Sequence, residues 1–324
     1  MKILIIPTGG TICTGENSRG TLSIQERAGI KIVENYKTNH KDEILFDVAD
    51  NLMILSENMT VNKWNKILDT YRKNIKKDHY DGVIFLHGTD TLGYTASLFS
   101  IILKDTSIPV IFVSANKPLD DESSNGNENF AKAVECIKNG IAPNVYVTYK
   151  NISDGIMYVH FASRICQCGN YSEDFYSSQV NETKKSTTPP IPDDFSLEDC
   201  ILKITPYVGM DYSVFDIKNY KAILHSAYHS GTVCTEEDTH SVMYLIKKCE
   251  ELGVDLYISP SQFYGKVYES TEKVRKENVN SLYGMTDECA YIKLLLAYSV
   301  FDDKEKIKEF IDTEQNLEFI YEKR

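Results

Sequence analysis

The sequence predicts an α/β protein of two α/β domains, a larger N-terminal parallel-sheet domain and a smaller C-terminal α/β domain. Three observations predict it. Short apolar runs bounded by turn residues alternate with stretches whose apolar residues recur at helical spacing, the rhythm of right-handed βαβ units around one parallel sheet. That rhythm stops at Asn181 to Asp194, N-E-T-K-K-S-T-T-P-P-I-P-D-D, where three prolines among polar residues mark a linker, and then restarts. Finally, 324 residues are too many for one ordinary core. The expected division is a domain over 1–182, a linker over 183–195 and a second domain over 196–324.

In chain order, Lys2 to Pro7 reads as a buried first strand running into Thr8-Gly9-Gly10-Thr11. The two glycines allow backbone approaches that a Cβ would forbid, which leaves Thr11 in a tight loop, placed like a nucleophile. Neither G-x-G-x-x-G nor G-x-x-x-x-G-K-[ST] is present, so phosphate binding is set aside. Ile12 to Ala28 lacks periodicity and reads as a long mobile loop, a lid beside Thr11. Ile44 to Val48 and Leu52 to Leu55 are strands, the second ending in Ser56-Glu57-Asn58, and Thr60 opens a helix through Trp64, Ile67, Leu68 and Tyr71. Val83 to Leu86 is an apolar run between Asp-Gly and His-Gly, a strand buried on both faces. After it, Thr91 can cap a helix carrying Leu92, Ala96, Phe99 and Leu103, which puts Thr89 and Asp90 in the crevice at a strand's carboxyl end.

Val110 to Val113 is the next strand, followed by a loop from Ser114 to Asn127 and a helix with Phe130, Ala133, Val134 and Ile137. Asn144 to Tyr149 is a fifth strand, and Tyr158 to Ile165 a closing hairpin. Beyond the linker come strands at Leu202 to Thr205, Ala222 to His225 and Leu256 to Ser259, helices at Ser241 to Glu251 and Asp287 to Ser299, and two short charged helices.

Charge narrows the classes of partner. With 35 Lys and Arg against 47 Asp and Glu, a net charge of -12 disfavours nucleic acid and anionic membrane. Eight cysteines in a chain of this length do not make a disulfide framework, and Met1 to Pro7 is too short for a signal peptide. The reading is a cytoplasmic protein with reduced thiols. Cys166 and Cys168 form a C-x-C with no second cysteine or histidine pair nearby, so no metal and no cofactor is expected.

Thr8-Gly9-Gly10-Thr11-Ile12 and His87-Gly88-Thr89-Asp90-Thr91 together resemble the two signature motifs of the bacterial-type L-asparaginase family, which includes glutaminase-asparaginases and a subunit of a tRNA-dependent amidotransferase. Ser56-Glu57-Asn58-Met59-Thr60, Tyr94-Thr95-Ala96-Ser97, Asn125-Gly126 with Asn129, and Gly284-Met285-Thr286-Asp287-Glu288 resemble it further, the last most like cytoplasmic type I members. The resemblance implies hydrolysis of the side-chain amide of L-asparagine or a related small amide, in homodimers or homotetramers. A threonine hydroxyl that attacks such an amide divides the reaction into formation and hydrolysis of an acyl-enzyme. By resemblance Thr11 is the attacker, Thr89 helps activate the nucleophile or water, and Asp90 grips the substrate's α-ammonium. Ser56 and Glu57 would hold the other polar ends, with backbone N–H groups near Gly10, Gly88 and Ala115 as an oxyanion site.

Two departures stand out. The family carries a lysine beside the second threonine, yet no lysine occurs from Asn151 to Thr183; His160 and Arg164 are the nearest substitutes and are expected to approach Thr89 and Asp90. The family also carries a lid tyrosine, whereas none occurs between Thr11 and Tyr36, with Thr21 near the expected place. Beside the hydrolase reading stand a binding protein that has lost turnover and an enzyme acting on a larger, peptide-borne or tRNA-linked amide.

Overall fold

A computed structural model describes residues 1–16, 21–178, 191–236, 238–261, 266–277 and 279–320. The chain forms two compact units, Met1–Ser178 and Gln179–Arg324, each α/β as expected. Most of the expected linker, 183–195, lies outside the described residues.

The first unit opens with β1 (Lys2–Pro7), then an antiparallel ribbon of β2 (Thr14–Glu16) and β3 (Leu22–Ile24) where a lid loop was expected. Helix α1 (Ala28–Asn39) follows, and the sequence reading lacks it. Its start has no side-chain cap and carries Gly29 and β-branched residues, which hide a helix from local propensity. Packing explains the glycine: a Cβ on Gly29 would lie 2.7 Å from Pro7 Cγ and 2.8 Å from Val48 Cγ1. Next come β4 (Leu45–Val48), α2 (Val61–Ile75), β5 (Gly82–Leu86), α3 (Leu92–Ile102), β6 (Val110–Val113), α4 (Gly126–Lys138), β7 (Val145–Lys150) and β8 (Met157–Phe161). The expected strand at Leu52 to Leu55 is reduced to one bridge between Gly9 and Ile54.

These strands make one sheet in the order β4-β1-β5-β6-β7-β8, parallel throughout except for β8. β5 is central and buried along its whole length, as its unbroken apolar run requires. Amphipathic α2 buries Val61, Trp64, Ile67 and Leu68, and Trp64 Nε1 donates to Thr95 Oγ1 on α3 at 2.9 Å. After β8 the chain makes a turn at Ala162–Arg164 and a small antiparallel ribbon of β9 (Ile165–Cys166) with β10 (Tyr176–Ser177).

The second unit is a parallel four-stranded sheet, β11 (Ile201–Ile204), β12 (Ala222–Ser226), β13 (Asp255–Ser261) and β14 (Asn280–Tyr283), in that order. Its helices are α5 (Val242–Leu252), α6 (Glu269–Arg275), α7 (Asp287–Val300) and α8 (Lys304–Asp312); β14 and α6 are absent from the sequence reading. Of the two expected terminal helices, only α8 forms among the described residues. Glu318, fully buried, instead receives the N–H groups of Gln315 and Asn316 and the Lys293 ammonium at 2.6 Å, which holds the segment in a non-helical path. All eight cysteines are free thiols. Among the described residues no helix is long and apolar enough to cross a membrane, and no group of His, Cys, Asp and Glu could hold a metal.

Candidate active site

The carboxyl ends of β1 and β5 carry the two threonine loops, and they touch backbone to backbone. Thr8 donates to Leu86 O through both its backbone N–H, at 2.9 Å, and its hydroxyl, at 2.8 Å, which ties the two strand ends together. Gly10 follows at φ +76°, donating its N–H to Ile54 O at 3.0 Å. A Cβ there would lie 2.1 Å from Gly88 Cα, so only glycine fits against the second loop. Thr11 is half-buried and opens a short turn, its carbonyl accepting from Thr14 Oγ1 at 2.9 Å. That turn buries Ile12 and Cys13 and leaves Thr11 partly exposed.

On the second loop His87 is buried, and burial holds it down to about 4, so the ring is neutral at physiological pH. Gly88 is as constrained as Gly10: a Cβ would sit 2.3 Å from Ser56 Oγ. Ser56 therefore lies directly over this loop, where its hydroxyl donates to Asp90 Oδ2 at 2.9 Å and its carbonyl accepts from Thr91 Oγ1 at 3.1 Å. Thr91 stands at the first cap position of α3 but directs its hydroxyl to Ser56 rather than to the helix. Gly10, Gly88, Ser56 and Asp90 are thus contiguous, with Thr11 and Thr89 beside them in the chain. Glu57 is exposed, with no hydrogen bond to a described residue, and Ala115 is buried just past the end of β6.

The expected lysine substitutes fall elsewhere, and the topology says why. β8 runs antiparallel to β7, so every step along it leads away from the carboxyl edge where Thr89 and Asp90 stand, by roughly 3.3 Å per residue. His160 pairs in register with Val147, partway along the edge strand, its Nδ1 2.8 Å from Ser177 Oγ and its Nε2 without a hydrogen-bond partner among the described residues. Arg164 is buried, with its guanidinium 3.4 Å from Ser178 Oγ. Neither lines the cleft that Thr89 and Asp90 share. The chain then turns back along α3, past Ser97, which donates to Ala162 O, and delivers Gln167 to the helix start. Gln167 Nε2 donates to Thr89 O, and its Oε1 accepts from Gly93 N–H at 3.1 Å. The side chain beside Thr89 is a neutral amide. Asp90 is exposed to water and so needs no compensating cation.

A cleft of about 490 Å³ opens at Thr89 and Asp90 and runs along Gln167 to Glu173, with Asn116 and Tyr149 behind it. Burial, reinforced by Asp174 and Asp90, pushes the Cys168 thiol in its wall up to about 12, so it is a thiol and not a nucleophilic thiolate. A larger cavity of about 750 Å³ in the second unit is lined by Asp255, Tyr257, Tyr298 and Lys304 among others. Three of its polar groups are bonded to one another, Tyr298 donating to Asp255 at 2.7 Å with Tyr257 2.9 Å from Tyr298, and among the described residues it is lined by no threonine.

A two-unit α/β chain with paired threonine loops at the carboxyl edge of its larger sheet defines an amidohydrolase-type scaffold. The profile of the family described as Asparaginase, N-terminal matches residues 2–185, and the chain belongs to the asparaginase family. It is similar to a subunit of the glutamyl-tRNA(Gln) amidotransferase of Pyrococcus abyssi, 25% identical over 96% of this chain and 75% of that one. The corresponding subunit of Methanosphaera stadtmanae is 27% identical over 80% of this chain and 64% of its own length. Among solved structures, the thermostable L-asparaginase from Thermococcus kodakarensis has the same fold, with a TM-score of 0.77, 20% identity and coverage of 99% and 100% of the two chains. L-asparaginase I from Vibrio cholerae gives a TM-score of 0.73 at 22% identity, covering 99% of each.

Gln167, Tyr149, Asn116 and Glu173 are the cleft residues that sequence reasoning misses. Gln167 lies between Cys166 and Cys168, a pair whose spacing draws attention only to metal; its place three residues past the turn at Ala162–Arg164 is the available signal.

Proposed function

We propose that the chain is an amidohydrolase that cleaves the side-chain amide of L-asparagine, or a related small amino-acid amide, to carboxylate and ammonia with Thr11 as nucleophile, and that its turnover is slow. The observation that carries this reading is the Gly10–Gly88 contact with the Ser56–Asp90 hydrogen bond beside it. It supports a site in which a hydroxyl nucleophile and a second threonine, each next in the chain to one of these glycines, act with an anion for an α-ammonium. Thr11 forms the acyl-enzyme, Thr89 assists proton transfer, Asp90 holds the ammonium by a charge-assisted hydrogen bond, and Ser56 and Glu57 meet the remaining polar ends. N–H groups near Gly88 and Ala115, and beside Gly10, whose own N–H is taken by Ile54 O, would meet the developing oxyanion. The rate is low because Gln167 is neither base nor cation, and losing an acid-base partner costs on the order of 10²- to 10⁴-fold.

Gln167 also favours a second reading, a protein that binds the amino acid and does not turn it over. Ammonia release from L-asparagine and L-glutamine, run beside calorimetry with L-aspartate, separates the two. Slow release that Thr11→Val abolishes supports the hydrolase; full turnover in that variant removes Thr11 from the role; binding without release selects the second reading. The names of the solved relatives, L-asparaginases, and of the amidotransferase relatives support an amide substrate. A cytoplasmic homodimer or homotetramer is part of the proposal, the first supported by the acidic charge and by the likeness to a probable cytoplasmic L-asparaginase from Campylobacter jejuni.

A further inference from the structure

The cleft that opens at Thr89 and Asp90 is larger than one four-carbon amino acid fills. At about 490 Å³ it falls within the roughly 300–1,000 Å³ of pockets that enclose ligands of drug size. Among the described residues its lining contains two carboxylates, Asp90 and Glu173, and no lysine or arginine. Neither carboxylate has a cationic partner among the described residues; Asp90 accepts from Ser56, and Glu173 Oε2 accepts from Asn116 Nδ2 at 3.1 Å. Tyr149 also lines the cleft, and its buried hydroxyl has no hydrogen bond of good geometry among the described residues. The Asn125 side chain bears on it as a weak hydrogen-bonding neighbour, its amide donating to Lys150 O at 2.8 Å and its oxygen accepting from Asn116 N–H at 3.0 Å. A buried hydroxyl left unpaired costs on the order of 1–3 kcal/mol, and such a group beside a cleft marks the place of a ligand atom. Glu173 is close enough for its charge to bear on the same hydroxyl.

The wall itself is fastened at both ends. Gln167 is fixed to Thr89 and Gly93, while Asp174 accepts the N–H groups of Ile152 and Ser153 and Phe175 exchanges hydrogen bonds with Asn151. Between these anchors the segment from Gly169 to Glu173 is exposed and borders the cleft.

We propose that this cleft is a second half of the substrate site and takes a substituted amide: an amino acid whose side-chain amide nitrogen carries a chain ending in an ammonium group, which donates to the Glu173 carboxylate and the Tyr149 hydroxyl oxygen. The inference rests on the amidohydrolase reading and narrows its substrate. The chemistry is the same acyl transfer. The Thr11 Oγ–carbonyl bond forms, the C–N bond breaks, the substituted amine leaves with the hydroxyl's proton in place of ammonia, and water then releases the carboxylate and restores the threonine. An anionic polymer such as a nucleic acid would meet two carboxylates in this cleft and is disfavoured there.

Calorimetry on the full chain tests this with L-asparagine, Nγ-(3-aminopropyl)-L-asparagine and its neutral isostere Nγ-butyl-L-asparagine, with mass spectrometry reading any released amine. The aminopropyl compound should bind about tenfold tighter than the butyl one, the worth of a charged hydrogen bond. Glu173→Gln should bring that ratio to within about twofold of unity, Glu173→Lys should invert it, and Tyr149→Phe should lower it roughly fivefold. L-asparagine binding with exclusion of both substituted compounds overturns this inference and leaves the amidohydrolase reading standing. A tenfold preference untouched by all three variants overturns the roles of Glu173 and Tyr149. Failure of every compound to bind overturns both readings.

Discussion

Gly88 has no room for a side chain, because Ser56 Oγ and Cβ would stand 2.3 and 2.5 Å from any Cβ. Gly88→Ala must therefore displace Ser56, whose hydroxyl is hydrogen-bonded to Asp90. The expected result is loss of L-aspartate binding by calorimetry together with a stability loss of about 1–3 kcal/mol, the usual cost of overpacking, measured by urea unfolding. Asp90→Ala should separate the two quantities. The carboxylate is exposed, so its removal changes stability by no more than about 0.5 kcal/mol while ligand affinity disappears. Unchanged affinity would remove Asp90 from the ammonium role. Gly88 and Asp90 are readable in the sequence because they follow the end of β5, whose apolar run is unmistakable, and Ser56 because it follows a short apolar run that the structure reduces to the Gly9–Ile54 bridge. Gln167 is not, since what brings it to Thr89 is a path down β8 and back along α3, settled by contacts between residues 74 and 78 positions apart.

At the scale of elements, the crevice depends on α2 and α3 keeping their places behind β5. Trp64 on α2 is buried, and its indole N–H reaches Thr95 Oγ1, itself fully buried on α3. Thr95→Val keeps the shape but leaves that N–H unsatisfied in the core. It should cost about 1–3 kcal/mol in urea unfolding, whereas Trp64→Phe in the same background should add little beyond the loss of packing, because the orphaned donor is then gone. Independent, additive effects of the two changes would count against the hydrogen bond as the link. The central strands and α2 were plain from periodicity, but α1 was not. Its start lacks a side-chain cap, and Gly29 sits there to let the helix approach Pro7 and Val48, a tertiary demand that overrides propensity. The β2–β3 ribbon and β14 escaped for a related reason: three- and four-residue strands carry too little alternation to register before their partners are known.

For the whole molecule, the deciding feature is that three of its seven histidines are buried and neutral. His87 and His160 lie in the first unit and His225 in the second, and burial pushes each from 6.5 down to about 4. The unfolded chain takes up protons at these rings from about pH 6.5 downward, while the folded chain does so only near pH 4. Unfolding therefore binds protons in that window, and acid draws the equilibrium toward the unfolded state. Their stabilising contribution is complete above pH 6.5 and declines as pH falls toward 4, with a slope of up to about 1.4 kcal/mol per pH unit for each ring. The net charge of -12 acts in the opposite sense, since acid relieves self-repulsion, but that repulsion is spread over the surface and screened by salt. Urea unfolding at about pH 7, 6, 5 and 4.5 in high salt should thus show stability falling with acid. His160→Gln, at a position whose ring is hydrogen-bonded to Ser177 and stacked on Tyr158, should flatten the fall of the first unit by the slope of one ring and leave that of the second unit unchanged. A profile that is level from about pH 7 to 4.5, or one that His160→Gln does not flatten, would mean that these rings protonate in the folded chain as readily as in the unfolded one.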